Sequence, residues 1–210
     1  MCGLDTIGAS IESGDRQTAT RLVQEAIDGA YPPQQILDAM LAAMDRVGQR
    51  FQRREIFVPE MLIAARAMKE ALALLEPMLA KAGHQPVCTA VIGTVEGDLH
   101  DIGKNLVAMM WRGANITVID LGAGASPQKF VDAARQHQPR IVGLSALLTT
   151  TMPAMKRTVE MLRATRLAGL QIVVGGAPVN QRCADQIGAD GYAPDAASAV
   201  DLARTLVAKI

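Results

Sequence analysis

Residues 89–103 of the chain read TAVIGTVEGDLHDIG, and they show the fold class of the C-terminal half most clearly. It opens with a short apolar run, residues 89–93, that has the length and continuous hydrophobicity of a buried parallel strand. A polar loop with His100 between two aspartates follows, and an amphipathic segment begins at Gly103. The stretch therefore predicts a strand, a loop and a helix, the first unit of an alternating β/α domain.

The same alternation continues toward the end of the chain. Further apolar runs occupy residues 116–121, 141–145, 172–174 and, more weakly, 191–193. Segments that look helical follow them or lie between them, at residues 103–112, 126–137, 153–168, 180–187 and 195–209. This pattern predicts an α/β fold with a five-stranded parallel sheet covered on both faces, of the doubly wound, flavodoxin-like (Rossmann-type) kind.

The residues before residue 80 follow a helical period instead. Apolar stripes with helical spacing run through residues 15–29, through 33–51 and from Pro59 onward, and a short helix is expected from residue 4. Residues 82–86, AGHQP, have the composition of a linker. We therefore expect a four-helix bundle over residues 1–84 and the α/β domain over residues 85–210.

Composition excludes several classes of protein. The 210 residues carry 21 basic and 21 acidic side chains, so no positive field favours nucleic acid or anionic lipid. No apolar run is long enough to span a membrane, and the N-terminus lacks the pattern of a signal peptide. Cys2, Cys88 and Cys183 do not have zinc-site spacing and are expected to be reduced thiols. A cytoplasmic protein that binds neither nucleic acid nor membrane is expected.

The candidate site lies at the strand ends, where open parallel sheets bind ligands. The first loop holds His100, whose imidazole could bind a metal, and Asp98, which could hydrogen-bond its other ring nitrogen. The loop after the third strand offers small and hydroxyl side chains over residues 145–151. Gly175 and Gly176 follow the fourth strand and leave the backbone bare. These residues alone predict a ligand at this edge of the sheet, near one histidine.

Taken together, the three loops resemble a family fingerprint of the form DxHxxG, SxL and GG. Here it reads Asp98-Leu99-His100-Asp101-Ile102-Gly103, then Ser145-Ala146-Leu147, then Gly175-Gly176. It is similar to the cobalamin-binding domain shared by methionine synthase, the corrinoid proteins of methyltransferase systems and B12-dependent mutases. Residues 96–105, 145–153, 188–197 and 55–61 extend the resemblance to the corrinoid proteins over nearly the whole chain.

The resemblance implies a set of cofactor contacts. His100 would be the lower axial ligand of cobalt in base-off/His-on cobalamin, Asp98 would hydrogen-bond His100, and Thr151 would extend that relay. The cobalamin contacts implied on the α/β domain are Gly97, Asp98, Leu99, His100, Asp101, Ile102, Gly103, Ser145, Leu147, Thr149, Gly175, Gly176, Tyr192 and Ala196. The helical domain would cap the corrin, with Phe51 and Val58 over the methyl group.

The resemblance also implies a function. The chain would be a methyl carrier that cycles between Co(I) and methyl-Co(III), a subunit of a methyltransferase system rather than a complete enzyme. Its implied partners are a donor-specific methyltransferase, an acceptor methyltransferase that uses tetrahydrofolate or a thiol, and a reductive activase. The alternatives are a B12-based sensor or regulator, the small subunit of a mutase, and a flavodoxin-like protein without cobalamin.

For several residues the sequence leaves a second interpretation open. Phe51, Val58 and the methionines Met40, Met44 and Met61 could face the corrin or could be ordinary bundle core. Trp111, the single tryptophan, could be a surface anchor for a partner or a half-buried helix residue.

Overall fold

The structure, a computed structural model, describes residues 3–208. Its contacts divide the chain into two compact units. One contains the described residues up to Pro86 together with Arg112–Asn115, and the other contains Val87–Trp111 and the residues from Ile116 onward. The predicted helix 195–209 runs past the described residues at its end, and Cys2 also lies outside them. Within residues 3–208, no helix is long and apolar enough to cross a membrane.

The first unit is built from four helices, as the apolar stripes predict. They are α1 (Leu4–Glu12), α2 (Arg16–Asp28), α3 (Pro33–Gln52) and α4 (Val58–Lys81). Local signals set their starts: the Asp15 carboxylate accepts the Thr18 amide at the start of α2, and the Glu60 carboxylate accepts the Phe57 amide at the start of α4. The helices bury Ile7, Ile11, Val23, Ile36, Met40, Met61, Met68 and Leu75 in a common core.

The second unit alternates strands and helices. Its elements in chain order are β1 (Cys88–Thr94), α5 (Ile102–Gly113, whose last two residues group with the first unit), β2 (Ile116–Asp120), α6 (Pro127–His137), β3 (Ile141–Ser145), α7 (Met152–Ala164), β4 (Gln171–Gly175), α8 (Gln181–Ile187), β5 (Gly191–Tyr192) and α9 (Ala196–Val207). All neighbouring strands pair in parallel, in the order β2-β1-β3-β4-β5. This order confirms the flavodoxin-like fold, with a change of winding direction between β1 and β3.

Two glycines in the central strands make room for two aromatic rings. A Cβ atom on Gly93 would lie 2.7 Å from the Phe130 ring, and one on Gly143 would lie 2.8 Å from the Trp111 ring. Gly143 pairs with Ile92, the neighbour of Gly93, so the two glycines face opposite sides of the pleated sheet. A large ring can therefore pack directly on the backbone on each face of the sheet.

Trp111 is fully buried in α5, and its indole Nε1 donates to the Ala199 carbonyl at 3.0 Å. The interpretation of Trp111 as a surface anchor is wrong, and it is more deeply buried than the half-buried alternative supposed. An indole ring in the core satisfies its single N–H by bonding to a neighbouring helix, which makes full burial favourable.

The boundaries of the predicted helices agree with the structure except in one place. The predicted helix 153–168 ends at Ala164, because Arg166 takes a left-handed backbone conformation with φ of 54°. A residue in this conformation ends a helix, and no glycine or proline just before Arg166 indicates the end in the sequence. Cys88 and Cys183 are free cysteines, as expected.

Candidate functional site

Three loops begin side by side at the carboxyl edge of the sheet. In the parallel register Thr94 at the end of β1 pairs with Ser145 at the end of β3, and Ser145 pairs with Gly175 at the end of β4. The loops that follow these residues contain the histidine, the hydroxyl-rich segment and, directly after Gly175, Gly176. The strand register thus brings together residues that are far apart in the sequence.

Asp98 is the centre of this edge and is completely buried. Its Oδ1 atom lies 2.8 Å from His100 Nδ1 and accepts the His100 backbone N–H at 3.0 Å. The carboxylate therefore bonds both the main chain and the ring of the residue two positions later. In a neutral imidazole, the ring nitrogen that faces a carboxylate is the one that is protonated. We therefore assign His100 as the Nδ1–H tautomer.

The second oxygen of Asp98 connects the histidine loop to the loop after β3. Asp98 Oδ2 accepts the backbone N–H groups of Leu147 at 2.7 Å and Leu148 at 3.2 Å, and the Thr151 hydroxyl at 2.9 Å. Thr151 is buried in a short 3-10 turn, Thr149–Thr151, and its hydroxyl also lies 2.8 Å from the Leu148 carbonyl. The two amides are contacts that sequence reasoning missed, because main-chain donors leave no signature in residue types.

These contacts fix the charge of Asp98. Burial alone would raise its pKa, but the hydrogen bonds from the His100 and Leu147 amides, the His100 ring and the Thr151 hydroxyl outweigh it. Together they hold the pKa of Asp98 well below its usual range. The carboxylate is therefore an anion that is saturated with donors, beside the histidine ring.

His100 itself faces outward, with about half of its side chain exposed (52%). The Thr94 hydroxyl donates to its main-chain carbonyl at 3.1 Å and holds the loop to the end of β1. With Nδ1 bonded to Asp98, the lone pair of the neutral ring is on Nε2, which no described residue contacts by a hydrogen bond. The loop therefore presents a single nitrogen ligand, Nε2, and the bond between Nδ1 and Asp98 sets the orientation of the ring.

Four large apolar side chains in the histidine loop, at the start of α5 and in the loop after β3 are exposed. Leu99 and Ile102 flank His100 in sequence and are 80% and 76% exposed, and Leu147 and Leu148 in the next loop are 43% and 41% exposed. Soluble proteins rarely leave several such side chains uncovered in one place without a binding function. The edge therefore offers an apolar surface and one nitrogen ligand.

The glycines after β4 allow a close approach of two backbones. Gly176 has φ of 121°, and a Cβ there would lie 1.8 Å from the Ala146 carbonyl oxygen. The Ala146 amide donates to the Gly175 carbonyl at 3.1 Å, which joins the second loop to the third. Any side chain at position 176 would force these loops apart.

The structure places the remaining predicted site residues as follows. Ser145, Asp101 and Tyr192 are half-buried, Ala196 is buried, and Gly97, Gly103 and Thr149 are exposed. In the helical unit Phe51 and Val58 are half-buried, whereas Met40, Met44 and Met61 are buried in the bundle core. For the three methionines the ordinary core interpretation is correct, and the cofactor role of Phe51 and Val58 stays a prediction.

Comparison with known proteins agrees with this geometry. Residues 88–201 match a B12 binding domain family, and residues 4–76 match a second B12 binding domain family. A corrinoid protein of Desulfitobacterium hafniense is 39% identical over 100% of this chain and 99% of its own length. A dimethylamine corrinoid protein of Methanosarcina barkeri is 38% identical over 98% of this chain and 97% of its own length.

Two solved structures are similar over nearly the whole chain. A cobalamin-binding protein from Desulfitobacterium hafniense superposes with a TM-score of 0.82 at 30% identity, covering 98% of this chain and 99% of its own. A chain of the methanol:cobalamin methyltransferase complex from Methanosarcina barkeri gives a TM-score of 0.86 at 30% identity, covering 97% of this chain and 79% of its own. The exposed histidine held by a buried aspartate thus lies in a cobalamin-binding domain, and the chain belongs to the family of corrinoid proteins.

Proposed function

We propose that this chain carries a methyl group on cobalamin between a donor-specific methyltransferase and an acceptor methyltransferase. The relatives are corrinoid proteins of methylamine and methanol systems, and one is solved in a complex named as a methyltransferase. The acceptor would use tetrahydrofolate or a thiol, and a reductive activase would restore the active cobalt state. The observation that carries the proposal is the outward-facing His100 ring, whose Nδ1 is bonded to a buried carboxylate.

The residues at the edge of the sheet fit cobalamin. Cobalamin supplies a cobalt centre that takes up a methyl group as Co(I) and releases it from the methyl-Co(III) state. His100 Nε2 is free to serve as the lower ligand, in a base-off/His-on arrangement. The exposed Leu99 and Ile102 side chains and the neighbouring Leu147 and Leu148 would pack against the apolar parts of a macrocycle.

Asp98 would act through His100 in this proposal. Asp98 accepts a hydrogen bond from the Nδ1–H group of His100. This bond would fix the tautomer and make Nε2 a stronger ligand, as carboxylates bonded to metal-bound histidines do. Because its pKa lies well below the usual range, Asp98 would be ionised both in the free protein and with His100 bound to cobalt. Thr151 would hold Asp98 in place through its hydroxyl.

The other loops would receive the nucleotide tail of the cofactor. Ser145 ends β3 and Leu147 and Thr149 follow it, whereas Gly175 ends β4 and Gly176 follows it. Gly176 lets these two loops pack closely at Ala146, and the tail would lie along the surface that they form together. Tyr192 and Ala196 stand at the end of β5 and the start of α9. The contacts that we propose for the histidine loop are those of Gly97, Leu99, Asp101, Ile102 and Gly103.

Binding of hydroxocobalamin tests the proposal. Wild type, His100→Ala and a matched control, His137→Ala at the exposed end of α6, are incubated with hydroxocobalamin and desalted. We expect about one cobalt retained per wild-type and control chain, and a visible spectrum that changes only in His100→Ala. After reduction, the loaded wild type should take up one methyl group per cobalt from methyl iodide. A His100→Ala spectrum identical to that of wild type would contradict the role of His100, and no methyl uptake would contradict the carrier.

A further inference from the structure

Lys104 is almost completely buried in the first turn of α5, with 2% of the residue exposed. This position is doubly unfavourable for a lysine. A buried ammonium loses its hydration, and a positive charge at a helix N-terminus opposes the helix dipole. Four residues before it in the chain is His100. A cation in this place needs partners that compensate for both effects.

The ammonium group has three donors, and each has an acceptor. Lys104 Nζ lies 2.7 Å from both carboxylate oxygens of Asp120 at the end of β2, and 2.6 Å from the Asn105 side-chain oxygen. All three N–H groups are therefore used, and the head group has one position. The contact ties the start of α5 to the end of the neighbouring strand.

Asp120 also bonds the loop that follows β2, residues 121–125. Its Oδ1 also accepts the Gly122 backbone N–H at 2.9 Å. The same loop is bonded to the end of β1, since the Thr94 amide donates to the Gly122 carbonyl at 3.0 Å and the Ala125 amide donates to the Thr94 carbonyl at 2.9 Å. The loop is thus held at one end by Asp120 and along its length by β1.

The 121–125 loop in turn holds the histidine loop. The Gly124 backbone N–H donates to the Asp98 carbonyl at 2.9 Å, directly before Leu99 and His100. Asp98 is the residue whose carboxylate bonds the His100 ring. A continuous series of hydrogen bonds therefore runs from Lys104 through Asp120 and the 121–125 loop to the backbone of Asp98.

We propose that the ion pair between the buried Lys104 and the partly exposed Asp120 is a positioning device for His100, which fixes the 121–125 loop and through it the peptide that presents the imidazole. This inference rests on the proposed role of His100 as the cobalt ligand. Lys104 and Asp120 touch neither the cofactor nor the reacting atoms in the proposal; they act through Asp98. Without the pair, the histidine loop keeps its residues but loses its fixed orientation.

A second ion pair in the same unit provides a matched control. Arg163 bonds Asp190 at 2.6 Å, and Asp190 Oδ2 accepts the backbone N–H of Ile172 at 2.6 Å, near the start of β4. It shares three parts with the Lys104 pair, namely a cation, a carboxylate and a backbone amide that donates to the carboxylate, although Arg163 is 40% exposed and also donates to the Gly188 carbonyl. It lies at the opposite edge of the sheet, with no hydrogen bond to the histidine loop.

Amide hydrogen exchange on the cobalamin-free protein tests positioning directly. We compare wild type with Lys104→Met and Arg163→Met. In Lys104→Met the amides of Gly122, Gly124 and His100 should exchange at least about tenfold faster, and that of Ile172 should be unchanged. Arg163→Met should show the reverse. Equal acceleration of all four amides in Lys104→Met, or none, would overturn the proposal, because a merely structural pair acts on global stability.

The spectrum of the bound cofactor gives the second measurement. Lys104→Met loaded with hydroxocobalamin should retain cobalt, and its spectrum should shift part of the way toward that of His100→Ala. Arg163→Met should keep the wild-type spectrum. If Lys104→Met does not fold, Asp120→Asn replaces it. Asparagine keeps an oxygen that can accept the Gly122 amide, but it has no negative charge and binds the Lys104 ammonium more weakly. A wild-type spectrum and wild-type exchange at His100 in the folded variant would overturn the proposal.

The two proposals can fail separately. If wild type does not retain cobalamin, the proposed function fails, while the exchange pattern still reports whether the pair orders the histidine loop. If wild type shows a His100-dependent spectrum and Lys104→Met matches it in spectrum and exchange, only the positioning role is lost.

Discussion

Large apolar side chains are buried in the core of the helical unit and exposed in the loops at the carboxyl edge of the sheet. Met40, Met61 and Met68 are 0–1% exposed in the bundle core, whereas Leu99 and Ile102 are 80% and 76% exposed beside His100. The first group is covered by its own unit. The second is uncovered, and we propose that the cofactor covers it on binding. Similar residue types therefore have different functions in the two regions.

The largest effect expected from this contrast is on the stability of the bundle. Met61→Ala removes a side chain that is 1% exposed and leaves a cavity, so the free energy of unfolding should fall by about 2–5 kcal/mol. Urea denaturation of the cobalamin-free protein measures it. A loss below about 0.5 kcal/mol would mean that Met61 is not core, and would weaken the contrast.

A smaller effect should come from the carboxylate behind His100, and it depends on pH. The pKa of Asp98 is depressed in the folded protein below its unfolded value of about 3.9. The stability that it contributes is therefore fully present above that unfolded value and is lost as the pH falls through it toward the folded pKa. The stability gap between wild type and Asp98→Asn should be widest near neutral pH and should narrow in acid.

Urea denaturation of the cobalamin-free proteins, from about pH 7 to about pH 3, measures this gap. Asp132→Asn, at an exposed carboxylate on α6, controls for the loss of one negative charge. A gap between wild type and Asp98→Asn that stays constant over the whole range would contradict the depressed pKa.

The smallest effect on stability is expected at the exposed apolar loop. Leu99→Ala should change the free energy of unfolding by no more than about 0.5 kcal/mol, because the side chain is 80% exposed. It should nevertheless weaken cobalamin binding on the order of tenfold, because that apolar area would be buried by the cofactor. Equilibrium titration with hydroxocobalamin gives the affinity. Val87→Ala, 46% exposed next to the start of β1, is the control that should leave the affinity unchanged.

The sequence predicts most of the fold because hydrophobic period and strand length are local properties. The predicted strands agree with β1 to β5 to within one residue at each end, even for β5, which has two residues. The helix that was predicted too long ends at Ala164, two residues before Arg166, whose left-handed backbone conformation no local residue pattern indicates. Full burial of Trp111 was not predicted either, since it depends on Gly143, a glycine in β3 that is distant in the sequence.

Contacts of the candidate site that are made by side chains can be predicted from residue types. Contacts that are made by backbone amides cannot. The pairing of Asp98 with His100 follows from their spacing and from the family resemblance. The Leu147 and Leu148 amides that saturate the carboxylate could be found only from the structure. The Lys104–Asp120 pair joins residues 16 positions apart, and its one sequence signal is a lysine in the first turn of a helix.

The packing of Trp111 gives the α/β unit its own optical reporter. It is the single tryptophan of the sequence, it is fully buried, and its helix begins two residues after His100. Indole emission therefore arises from this unit alone and should shift to longer wavelength when the unit opens. Since a corrinoid absorbs near-ultraviolet and visible light, it should also quench that emission on binding. Occupancy and unfolding of the same unit can thus be followed in one sample without a label.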